Sequence, residues 1–152
     1  MQKLHFTTAI NAPKEKVWNT MLEDATYREW TEAFHKGSYY EGDWSRGSKI
    51  LFLAQNDDGT TGGMVSRIVE NRPYDFVSIE HLGEVVAGVE DTTSERVQAW
   101  AGAHENYTFT EAEGVTTVNV DLDVDESSVE MKEMFEGMWP KALEKLKEIA
   151  EK

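Results

Sequence analysis

Residues 127–152 read SSVEMKEMFEGMWPKALEKLKEIAEK, and they decide how the rest of the chain must fold. Met131, Met134, Phe135, Met138, Trp139, Ala142, Leu143, Leu146, Ile149 and Ala150 recur at three- and four-residue steps, which places them on one stripe of an α-helix. The opposite stripe carries Lys132, Glu133, Glu136, Lys141, Glu144, Lys145, Lys147, Glu148 and Glu151. The spacing predicts a long amphipathic helix with one buried side. Ser127 or Ser128 offers a hydroxyl that can accept from the unpaired amides of the first turn, and Glu130 suits the positive end of the helix dipole. Pro140 removes one internal hydrogen bond and crowds the preceding turn, so a kink is expected near Gly137 to Pro140. No other segment offers so large an apolar helical face, and the preceding chain has to supply the surface that receives it.

Working back from this helix, strand patterns dominate. Val118, Val120, Leu122 and Val124 alternate with Asn119, Asp121 and Asp123, the signature of a strand with one dry and one wet face. Residues 38–41, 48–54, 64–70, 76–82, 104–110 and 115–124 read as successive strands, separated by turn-forming stretches such as 56–59, 71–73 and Glu113-Gly114. Such short links imply an antiparallel meander. At the start, Leu4, Phe6, Thr8 and Ile10 alternate with Lys3, His5, Thr7 and Ala9 in a further strand. Pro13 then opens a short helix with Val17, Trp18, Met21 and Leu22 on its apolar face, and a second short helix is expected from about Asp24 to Trp30.

The exception is the connection from Gly83 to Gly102, long enough to be a lid. Thr92-Thr93-Ser94-Glu95 fits a capping box with Thr92 as N-cap, so a short helix carrying Val97 and Trp100 is expected to cross the sheet edge or the mouth of a cavity. No repeat, low-complexity tract or linker divides residues 1–152, which read as a single domain.

Charge excludes some partners. With 29 acidic against 15 basic side chains the formal charge is -14, which repels phosphate backbones and anionic lipid, so neither nucleic acid binding nor membrane insertion is expected. The chain has no cysteine, hence no disulfide and no thiolate metal site, and its opening residues hold no apolar run of signal-peptide length. The expected location is cytoplasmic.

Several stretches carry a family resemblance. Ile10-Asn11-Ala12-Pro13-Lys14-Glu15-Lys16-Val17-Trp18 after a first strand, then two short helices, a meander and a long last helix, resemble the START-like helix-grip superfamily, also called SRPBCC. Within it, Trp44-Ser45-Arg46-Gly47-Ser48, the run from Gly63 to Pro73, and Glu136-Gly137-Met138-Trp139 with Leu143 and Leu146 resemble homologues of the activator of the heat-shock protein 90 ATPase. The resemblance implies an α+β helix-grip fold, a curved antiparallel sheet wrapped around the C-terminal helix. It further implies a cavity between them for an apolar small molecule. Gly47-Ser48 stands where the subfamily carries Gly-Gly, and the chain has no room for the separate partner-binding domain of cochaperone members.

Side chains in the expected interior point the same way. Trp18, Trp30, Phe34, Phe52, Trp100, Tyr107, Met134, Met138 and Trp139 fall on inward faces and are the candidate cavity lining, methionine adding a flexible thioether. Glu80, His81 and His104 are candidate polar groups within it; alternation alone leaves open whether Glu80 or His81 faces the cavity. No catalytic motif or P-loop is present, and the four histidines show no metal-ligand spacing, so no catalytic residue, metal or cofactor is assigned. The expected function is binding of a small lipophilic molecule. A chaperone partner, as in the cochaperone homologues, and a cyclase- or hydrolase-like enzyme are the alternatives.

Overall fold

The computed structural model describes residues 1–152. Eight strands form one antiparallel sheet: β1 (Gln2–Ile10), β2 (Tyr39–Gly42), β3 (Lys49–Gln55), β4 (Thr61–Arg72), β5 (Phe76–Val86), β6 (Val89–Asp91), β7 (Ala103–Ala112) and β8 (Val115–Val124). The spatial order is β1-β8-β7-β5-β4-β3-β2, with β6 paired to the end of β5. Helices α1 (Lys14–Leu22) and α2 (Asp24–Trp30), followed by a 3-10 turn at Thr31–Ala33, form the bend after β1. One-turn α3 (Glu95–Gln98) precedes β7, and α4 (Val129–Ala150) packs against β1, α1 and α2. This is the α+β helix-grip arrangement the sequence predicts.

Two register shifts shape the sheet. Val65 pairs with Gly83 and Ser66 with His81, leaving Leu82 unpaired; Ile68 pairs with Ile79 and Glu70 with Ser78, leaving Val69 unpaired. Each extra residue bends the sheet and moves the following side chains to the other face. Val77 and Ile79 therefore join the main core with Ile50, Tyr107, Phe109 and Val120 on the inner face. Val85, of the same parity along β5, packs instead with Leu53 and Val65 in a small cluster on the outer face. Gly63 sits at φ +154, and a Cβ there would lie 1.9 Å from the Phe52 carbonyl oxygen, so close pairing of β3 with β4 requires glycine.

The last helix differs from expectation at its N-terminal end. Trp139, Ala142, Leu143, Leu146 and Ala150 are buried, but Met131 and Met134 are 43% and 41% exposed. The apolar stripe outruns the sheet, and the first turns of α4 project beyond what they could cover. Ser128 caps the helix, its hydroxyl accepting from the Met131 amide at 3.3 Å. Helical geometry runs through Pro140 without a break.

The connection between β5 and β7 is also more ordered than the expected lid. Its first part is the β5–β6 hairpin, and Ser94, not Thr92, caps α3 by accepting from Val97 at 3.3 Å. Asp91 takes the role of turn-former, its carboxylate accepting from the amides of Thr93 and Ser94 at 3.2 and 3.0 Å.

Candidate functional site

The space around Trp139 beneath α4 is filled, and beside it a groove of about 400 Å³ runs between His5, Phe6, Thr7 and Thr8 of β1 and Pro140, Leu143, Glu144 and Lys147 of α4. The Trp139 ring, 3% exposed, meets Phe6 at 6.3 Å in a stacked pair, Phe34 edge-on at 4.9 Å, Trp30 at 6.0 Å and Tyr107 edge-on at 6.0 Å. Edge-to-face contacts of this kind place positive ring edges against negative ring faces. Trp30 is anchored as well, donating from its indole to the Met21 carbonyl at 3.0 Å. Trp18 packs away from this group, edge-on to Phe109 at 5.1 Å. These aromatics were candidate lining for a cavity; packed against one another they consume the volume they were expected to enclose.

A larger open space lies at the other end of the sheet. A groove of about 620 Å³ is bounded by Tyr27 of α2, by His35 and Ser38 beyond the 3-10 turn, and by Phe52, Leu53 and Ala54 of β3. Gly62 and Gly63 of β4 and the β5–β6 hairpin from Glu84 to Ala87 complete it, with Asn56, Asp58 and Thr60 at the rim. The two glycines lie opposite Ala54 and Leu53. Of the nine candidate lining residues, Phe52 alone borders this groove. Met138 is half-buried on α4, Met134 is largely in solvent, and Trp100 stands apart from the aromatic network at the end of α3.

Behind the groove runs a polar chain on the inner face. His81, whose ring lies 6.3 Å from that of Phe52, is 2.7 Å through Nδ1 from the Ser66 hydroxyl and 3.1 Å through Nε2 from Glu105. Because a carboxylate can only accept, Nε2 carries the proton and Nδ1 accepts from Ser66. Tyr107 donates its hydroxyl to the second Glu105 oxygen. Serine, histidine and glutamate in one chain invite a hydrolase reading, but Ser66 is fully buried and no substrate carbonyl can reach it. The chain instead satisfies the polar atoms of a carboxylate held in an apolar interior. Burial, and then the charge of Glu105, push the Tyr107 phenol well above its ordinary pKa. Burial first, then Glu105 and Tyr40, do the same to the Tyr27 phenol. Tyr27 therefore stays neutral, and it is one of the residues that border the groove.

The other polar candidates lie elsewhere. Glu80 is on the outer face, accepting from Arg67 at 2.6 Å. His104 is also outside, 3.6 Å from the Asp123 carboxylate. Each of the dipeptides Glu80-His81 and His104-Glu105 thus contributes one member to the interior. The unpaired Leu82 is why alternation does not decide the face, and Glu105 and Ser66 become site residues only once the register between β4, β5 and β7 is known. No third histidine or carboxylate joins His81 and Glu105 as a metal-binding group.

Comparison with known proteins agrees with this architecture. The family model described as Activator of Hsp90 ATPase homolog 1-like protein matches residues 11–151. Among solved structures, the Aha1 dimer from Colwellia psychrerythraea is 18% identical with a TM-score of 0.72, the match covering 99% of this chain and 97% of that one. The AHSA1-like protein from Aeromonas hydrophila is 15% identical with a TM-score of 0.71, covering 97% and 90%. DynU16, from the dynemicin biosynthetic locus, is 14% identical with a TM-score of 0.69, covering 97% of this chain and 46% of that one. No curated protein matches the chain.

Proposed function

The chain belongs to the family of Activator of Hsp90 ATPase homolog 1-like proteins, and for this member we propose the binding of a small apolar or aromatic molecule in the groove between α2 and the ends of β3, β4 and β5. The observation that carries the reading is the groove itself: about 620 Å³ of open volume bordered by Tyr27 and Phe52. That volume falls within the range of small-molecule sites, and an apolar wall with one or two polar groups is their usual composition. Residues first expected to line a cavity under α4 contribute instead by holding α2, and with it Tyr27, in place: Tyr27 meets Trp30 edge-on at 5.5 Å, and Trp30 meets Trp139.

The test is calorimetric titration with naphthol and a panel of neutral ring compounds. Saturable binding at about 10 µM, worth roughly 7 kcal/mol, is expected. Absence of saturable binding across the panel overturns the proposal.

The family description supports a second reading, stimulation of a heat-shock protein 90 ATPase. It ranks below ligand binding because the apolar surface left free on the long helix is confined to Val129, Met131 and Met134. No stimulation is expected from this chain alone, and a clear rise in ATPase rate reverses the ranking.

A further inference from the structure

We infer that the groove selects ring-bearing molecules that carry a cationic nitrogen and turns away carboxylates, an inference that rests on the binding reading above. The charged side chains at the groove are Asp58 and Glu84, and no lysine or arginine borders it. Asp58 is fixed: its carboxylate accepts from both the amide and the hydroxyl of Thr60, at 2.9 and 2.6 Å. Those bonds hold its pKa below the usual aspartate value, so it is anionic throughout the neutral range. Glu84 accepts from Arg96 at 2.8 Å, and Arg96 itself lies outside the groove. His35 donates from Nδ1 to the Lys36 carbonyl at 2.8 Å and also borders the groove.

The second line of argument is the inner wall. Tyr27 is only 8% exposed, and behind it stands the Glu105 carboxylate. Tyr27 and Phe52, whose rings lie 6.2 Å apart and tilted by 34°, both border the groove, and aromatic rings attract cations. An ammonium beside a ring would meet the rings at depth and Asp58 at the rim. A carboxylate in the same place would face Asp58, which no lysine or arginine of the groove neutralises, and Glu84, whose charge is offset by Arg96.

Three probes that share one ring separate the possibilities: naphthylmethylamine, naphthylmethanol and naphthoate, titrated at low and high salt into wild type and Asp58→Asn. The Asn variant keeps an oxygen for the Thr60 amide and so preserves the turn. The expected order is amine, alcohol, carboxylate, with the amine favoured over the alcohol by about three- to tenfold at low salt and by less at high salt. Asp58→Asn should remove about half of that preference, in logarithmic terms. Equal binding of all three overturns the inference and leaves the binding reading intact. A preference for the amine that survives Asp58→Asn in full reports the overall charge of -14, not the groove, and also overturns it. If none of the three binds, both readings fall.

Discussion

The two ends of the inner face use similar side chains to opposite effect. Under α4, rings from β1, α2, β7 and the helix itself meet around Trp139 and fill that part of the inner face. At the β3–β5 end, Tyr27 and Phe52 border an open groove together with Gly62, Gly63 and the β5–β6 hairpin. Aromatic content therefore does not announce a cavity. What surrounds the rings decides: other rings close the space around Trp139, whereas the strand ends beside Tyr27 and Phe52 leave it open.

The largest effect that sharpens this contrast is at the closed end. Trp139→Ala should cost about 3–5 kcal/mol in urea unfolding, the usual loss for emptying a core aromatic site, while the folded fraction still binds neutral ring compounds. Trp100→Ala, outside the network, should cost less than half as much. If the two substitutions cost the same, the closed end is not the keystone described here.

Next in size is the glycine pair. Gly63→Ala places a methyl group against the Phe52 carbonyl and should cost about 1–3 kcal/mol, with loss of binding, because β3 and β4 must separate. Gly59→Ala is the control: its φ is also positive, at +86, but nothing lies within 4 Å of the added carbon, so it should cost no more than about 1 kcal/mol and leave binding unaltered. Thermal melts of both variants read the difference.

A smaller effect belongs to the groove wall. Tyr27→Phe keeps the ring and removes the hydroxyl, so stability should change by less than about 1 kcal/mol, whereas naphthol affinity should fall about five- to tenfold. The reverse outcome, unchanged affinity with a lower melting point, would make Tyr27 a structural residue only.

The smallest concerns the outer face. Burial alone would raise the pKa of the Asp123 carboxyl, but the Lys3 ammonium at 2.6 Å and the His104 amide at 3.0 Å outweigh it, and the net value is lowered. A carboxylate whose folded pKa is depressed stabilises the fold above its unfolded pKa of about 3.9 and loses that contribution as pH falls through the folded value. Asp123→Asn should thus cost about 0.5–1 kcal/mol at neutral pH, with the gap to wild type closing below about pH 4. A gap that persists at pH 3 would assign the cost to packing.

Much of this was legible beforehand because it rests on local pattern. Alternation in Val115–Val124, the Ala12-Pro13 helix entry and the stripe from Trp139 to Ala150 each read directly as an element, and their order implied the fold. The site was far less legible. Leu82 is one unpaired residue, yet it reverses the parity of β5 and hides which of Glu80 and His81 faces inward. Glu105 meets His81 only through the β5–β7 register, 24 positions along the chain. The groove gathers residues of α2, β3, β4 and the β5–β6 hairpin that only the β3–β4 and β4–β5 registers bring together. Met131 and Met134 continue a perfect stripe past the end of the surface that could bury it.

The most direct measurement is an amide chemical-shift titration of the isotope-labelled chain with naphthylmethylamine. Binding in the groove predicts that the shifts move at Tyr27, His35 to Ser38, Phe52 to Gly63 and Glu84 to Ala87, with Trp139 to Leu146 unmoved. Shifts concentrated at Trp139 to Leu146 and at Phe6 would place the ligand under α4 and contradict the claim that this end is closed.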